Sequence, residues 1–114
     1  MSAAHLALID DQEEVRLALG DMLRVFGYSV ELYASADEFL AKTDARRPGC
    51  IICDVRMPGM DGIAFVRAVS KSTQNAPVIL ISGHADVPMA VEALKTGAYD
   101  FVEKPVDDVK LVAS

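Results

Sequence analysis

Five side chains of this 114-residue sequence have types that could together handle a phosphoryl group: the carboxylates of Asp10, Asp11 and Asp54, the hydroxyl of Ser82 and the amine of Lys104. Three carboxylates in one crevice repel one another and cost free energy unless a cation or Lys104 offsets them. A site offering oxygen ligands alone favours a hard divalent ion. Mg2+ fits best, since it takes one or two carboxylates, keeps several waters and accepts a phosphate oxygen. A carboxylate can attack phosphorus to give an acyl phosphate while metal and ammonium charges stabilise the transferring oxygens. Asp54 ends the central apolar run and is the nucleophile candidate.

Each residue alone has a plain structural explanation. Asp10 and Asp11 could cap a helix, Lys104 could be a surface lysine before Pro105, and Ser82 followed by Gly83 could be an ordinary turn. The functional reading rests on all five standing at the ends of apolar runs.

Those runs are Leu6 to Ile9, Val30 to Tyr33, Cys50 to Cys53, Val78 to Ile81 and Tyr99 to Val102, all of strand length. They alternate with helical patterns, which predicts an α/β fold with a doubly wound, five-stranded parallel sheet in order 2-1-3-4-5. Val15, Leu19, Met22, Leu23 and Phe26 predict a first helix closed by Gly27. Ser35 and Glu38 form a capping box for a second, ending near Arg46, Arg47, Pro48 and Gly49. A third follows Gly62 and buries Phe65, Val66 and Val69, with Asp61 a candidate N-cap. The fourth has Asp86 as N-cap, Pro88 in its first turn, then Ala90, Val91 and Leu94, and Gly97 at its end. A fifth begins near Val106 and reaches Ser114 with no terminating signal, so residues 1–114 are expected to be one domain whose C-terminal output domain has been removed. In such a sheet ligands gather at the carboxyl ends of the strands.

A net charge of -6 argues against nucleic acid or an anionic membrane as partner. No run of 18 apolar residues and no signal-peptide pattern occurs, giving a cytoplasmic expectation. Cys50 and Cys53 have a C-x-x-C spacing, but only His5 and His84 could add soft ligands. In a strand the two thiols point to opposite faces and act as small hydrophobes.

The acidic pair in LIDD, the segments IICDVRMPGMDG and ISGH, and GAYDFVEKP stand in an order and at intervals that resemble the receiver domains of bacterial response regulators in two-component systems. The resemblance covers essentially the whole chain and implies a flavodoxin-like (α/β)5 fold. It implies that Asp54 takes phosphate from the phosphohistidine of a sensor histidine kinase. Mg2+ would be held by Asp11, Asp54 and the backbone carbonyl of Arg56, with Asp10 acting through water. Lys104 would pair first with Asp54 and then with the phosphoryl oxygen, and Ser82 would be the switch hydroxyl. Gly83 would leave the phosphoryl group room, and Pro105 would follow a cis bond that aims Lys104 inward. Phe101 falls at the aromatic switch position, where many members have tyrosine, so any rotation there lacks a phenolic hydrogen bond. Arg56 could modulate the phosphoryl lifetime, and His84 reads as a solvated loop histidine.

The resemblance further implies a phosphoacceptor rather than an enzyme on outside substrates, with dimerisation or output contacts through helix 4, strand 5 and helix 5. The pattern is most similar to receivers of sigma-factor ATPase activators or of nitrogen-fixation-type transcription regulators. Among rival readings, haloacid-dehalogenase-like phosphatases carry a second Asp two residues after the nucleophile, where this chain has Arg56. A flavin or nucleotide binder of the same fold would want a small-residue phosphate loop where the chain has Asp10 to Glu14. A receiver acting as a fixed, unphosphorylated module is the third alternative.

Overall fold

In the computed structural model, which describes residues 5–41, 48–70, 76–83 and 87–104, every one of the five apolar runs is a strand. They are β1 (His5–Ile9), β2 (Ser29–Tyr33), β3 (Cys50–Asp54), β4 (Val78–Ser82) and β5 (Asp100–Glu103). All pair in parallel, in the order β2-β1-β3-β4-β5. β1 and β4 are buried along their whole length, whereas the edge strands β2 and β5 mix buried and open positions. This is why the inner strands read as unbroken apolar runs: both of their faces are covered. β5 begins one residue later than the sequence predicts, because Tyr99 lies 64% exposed ahead of the strand and donates its N–H to Val78 O.

The helices are α1 (Glu13–Val25), α2 (Ala36–Ala41), α3 (Gly62–Ser70) and α4 (Val87–Thr96). α1 buries Leu19 and Leu23 against one sheet layer, formed by Leu6, Leu8, Val30, Ile52, Ile79, Ile81 and Val102. On the other face Ala7, Ile9, Ile51, Cys53 and Leu80 meet Phe65, Val66 and Val69 of α3 and Ala93 of α4. Phe26 departs from the expected buried stripe, because α1 stops at Val25 and leaves Phe26 at the C-cap, 46% exposed. The stop is a Schellman turn: Tyr28 N–H binds Leu23 O, Gly27 N–H binds Arg24 O, and Gly27 has φ 95°. α4 ends in the same way at Gly97.

At the start of α2, Ser35 Oγ accepts from Glu38 N–H at 3.0 Å, but the Glu38 carboxylate accepts from Ala34 N–H rather than from that of Ser35. Asp61 caps α3 by accepting from Ala64 N–H at 2.8 Å. Cys50 and Cys53 sit on opposite layers as free thiols, with burial pushing both thiol pKa values up. Among the described residues no helix is long and apolar enough to cross a membrane. Arg46, Arg47, His84, Asp86, Pro105 and the helix expected from Val106 lie outside the described residues.

Candidate functional site

The sheet ladder brings four of the five residues together. Asp10 continues β1, with its N–H bonded to Tyr33 O at 3.1 Å. Asp54 closes β3 opposite Ile81, Ser82 comes one residue later on β4, and Lys104 N–H binds Ser82 O at 2.8 Å. Strand alternation decides where these side chains point. Asp10, Asp54 and Lys104 share the parity of Leu8, Ile52 and Val102, on the α1 side. Ser82 shares the parity of Leu80, on the side of α3 and α4.

The ammonium of Lys104 lies 3.2 Å from Oδ2 of Asp10 and 3.5 Å from Oδ1 of Asp54. Asp10 is fully buried, Asp54 and Ser82 nearly so, and Asp11 is exposed. Burial pushes the carboxyl of Asp54 up to about 6, with the charge of Asp10 adding to the rise and Lys104 opposing it. One carboxylate oxygen each from Asp10, Asp11 and Asp54 lies within 4.8 Å of the other two. Oδ2 of Asp10 is buried and accepts no hydrogen bond from the described residues, so its contact with Lys104 is an ion pair without hydrogen-bond alignment. An oxygen-only cluster with a surplus of negative charge and an unsatisfied buried oxygen suits a hard cation such as Mg2+.

Phe101 is half-buried and packs on the layer holding Leu80 and Ala93. Arg56 follows the site with an exposed side chain. A Cβ added at Gly83 would stand 3.9 Å from Cδ of Lys104, so this glycine borders the site without being required by its own packing. Gly62 is different: a Cβ there would meet Asp54 O at 2.6 Å and Val55 Cα at 2.8 Å. The start of α3 lies directly against the residue that closes β3.

Two residues of this site were not singled out from the sequence. Gln12 gives its N–H to Oδ1 of Asp10 at 2.9 Å and sets its carboxamide 3.5 Å from the Lys104 ammonium. Arg16 gives its guanidinium to Asp10 O at 2.7 Å. Arg16 did carry a signal: a basic residue near a helix N-terminus opposes the helix dipole, and so calls for a compensating partner.

Residues 6–114 match the family model described as the response regulator receiver domain. The C4-dicarboxylate transport transcriptional regulatory protein DctD of Rhizobium meliloti is 46% identical over all of this chain and 25% of its own length. The transcriptional regulatory protein FixJ of the same organism is 45% identical over 92% of this chain and 52% of its own. The crystal structure of the Vibrio cholerae chemotaxis protein CheY4 superposes with a TM-score of 0.90 at 31% identity, covering 98% of this chain and 95% of that one. The chain thus spans about a quarter to a half of the two regulators, and nearly all of the chemotaxis protein. With this match along its length and five parallel strands in the order 2-1-3-4-5, the chain belongs to the receiver-domain family of two-component response regulators.

Proposed function

We propose that Asp54 is the phosphoacceptor of this receiver domain and that Lys104, Ser82 and the acidic pair make its phosphorylation productive. The observation that carries this reading is the Lys104 ammonium between Asp10 and Asp54, beside a three-carboxylate cluster at the carboxyl edge of the sheet. A carboxylate oxygen of Asp54 attacks phosphorus, the P–N bond to the kinase histidine breaks, and its electron pair returns to the imidazole. Lys104 stays on the side of the incoming phosphoryl oxygens and offsets their charge. Ser82 reads the product through its hydroxyl.

Asp11, Asp54 and the backbone carbonyl of Arg56 are the proposed Mg2+ ligands, with Asp10 acting through water. Bound there, the ion would neutralise charge on the phosphoryl oxygens. Pro105 is proposed to set the direction of Lys104, Gly83 to leave space, and Phe101 to answer Ser82 by changing its packing.

The reading extends to partners. The donor is a sensor histidine kinase, and the regulated unit is an output domain joined to this one, transcriptional as in the names of DctD and FixJ. The output surface is α4 and β5 together with the segment that follows. In support, α4 leaves Val87, Val91 and Leu94 exposed at helical spacing, with Tyr99 exposed close by in the chain. A contiguous apolar stripe of this kind suits a homodimer or a docked domain.

Incubation with Mg2+ and acetyl phosphate, followed by intact mass measurement, tests the centre of the proposal. The wild-type chain should gain one phosphate and Asp54→Ala none. Equal gain in both would refute Asp54 as the acceptor, and no gain in either would favour a fixed interaction module.

A further inference from the structure

Gln12 holds the N-cap position of α1, yet its side chain makes no capping hydrogen bond. Short side chains such as Ser or Asp are the ones that reach the free N–H groups there. The carboxamide turns instead across the strand ends to Lys104, 92 residues further along the chain, with Oε1 3.5 Å from Nζ. Through its backbone N–H the same residue holds Oδ1 of Asp10 at 2.9 Å. Gln12 therefore touches both members of the Asp10–Lys104 ion pair.

An ammonium offers three N–H donors. Among the described residues, Oδ2 of Asp10, Oδ1 of Asp54 and Oε1 of Gln12 stand around that of Lys104. The first two are carboxylates on nearly or fully buried residues, whereas the third is neutral and on an exposed residue. Neutral acceptors bind an ammonium more weakly than ionised ones, so this is the contact most easily exchanged for a charged phosphoryl oxygen.

We propose that Gln12 is a positioning residue for phosphoryl transfer: its carboxamide holds the Lys104 ammonium in the resting domain and competes with the arriving phosphoryl oxygen for it. The proposal rests on the reading of Asp54 as phosphoacceptor. Competition has a direction. Removing the acceptor frees Lys104 sooner, and charging it holds Lys104 back.

The test uses Gln12→Leu and Gln12→Glu, each in the wild-type and in a Lys104→Met background. Initial rates of phosphorylation by acetyl phosphate at saturating Mg2+ are followed by intact mass. Gln12→Leu should raise the rate about threefold, the lower end of an ordinary net hydrogen bond, and Gln12→Glu lower it about tenfold, close to a bond between two charged groups. The Gln12→Leu effect should vanish without Lys104, and the Gln12→Glu effect should shrink to what plain charge repulsion leaves; effects of equal size in the two backgrounds would overturn the proposal. Lysine-selective 15N NMR of the unphosphorylated domain gives an independent reading. The Lys104 ammonium resonance should move in Gln12→Leu, and an unchanged resonance overturns the proposal whatever Asp54 does. A wild-type domain that takes no phosphate, with that resonance moved, refutes the phosphoacceptor reading and the competition with it, while the resting contact stands.

Discussion

The ammonium of Lys104 lies 3.2 Å from Oδ2 of Asp10, a carboxylate with no exposed surface. A charge this deep is tolerated only while a partner stays beside it. Lys104→Met should therefore destabilise the metal-free domain by about 3 kcal/mol. Adding Asp10→Asn should recover most of that loss. Urea unfolding of the two single variants and the double variant in chelator measures it, and simple additivity of the two substitutions would contradict the pairing.

Asp54 gives the metal-free stability a pH dependence of known sign. Its carboxyl is raised from 3.8 to about 6, chiefly by burial, so between those values the folded chain binds a proton that the unfolded chain releases. The contribution is full below about 4 and is lost as pH rises through about 6, with an upper size of about 3 kcal/mol. Asp54→Asn should remove this slope and be the more stable protein at pH 7.5. Thermal melts of both proteins from pH 4.5 to 7.5 decide it.

Mg2+ affinity should follow the same proton in the opposite sense. Protonated Asp54 is a poor ligand, so binding should weaken as pH falls through about 6. Asp11→Ala should weaken binding at pH 7.5 by at least about tenfold, as the loss of a metal ligand does, with little change in the melting temperature because Asp11 is exposed. Calorimetric titration at pH 7.5 and 5.5 checks both statements. Undiminished affinity in Asp11→Ala would remove that residue from the ligand set.

The two glycines beside the site should behave differently. Gly62→Ala sets a Cβ 2.6 Å from Asp54 O, a clash with backbone that no side-chain rotation relieves, and should cost about 3 kcal/mol. Among the described residues, Gly83→Ala meets only the aliphatic part of Lys104 at 3.9 Å, so the fold should lose less than about 0.5 kcal/mol. Its effect should appear as slower phosphorylation. Denaturant midpoints and phosphorylation rates, measured side by side, separate the two cases.

Much of this arrangement is legible in the amino-acid sequence. The strands were readable because inner parallel strands are buried on both faces, and the strand order with the rule of carboxyl ends brought Asp10, Asp54, Ser82 and Lys104 to one edge. Periodicity could not say that Phe26 lies beyond α1, since apolar spacing continues through a cap while the backbone does not. Nor could it reveal the reach of Gln12 to Lys104 or of Arg16 to Asp10 O. Both contacts depend on how long side chains cross between segments, which no local pattern records. Gly62 showed its turn chemistry in the sequence, but not the close approach to Asp54 that excludes a Cβ.

The opposite orientations of Asp54 and Ser82 have one more consequence. The sheet divides the interior into two separately packed halves, and the carboxyl edge is their shared seam. In the proposed role a phosphoryl group would be fastened to a residue aligned with the α1 half and grasped by a hydroxyl aligned with the other. A few atoms placed on that seam would then act as a rivet between the halves, and α4, with its open apolar stripe, belongs to the half being pulled.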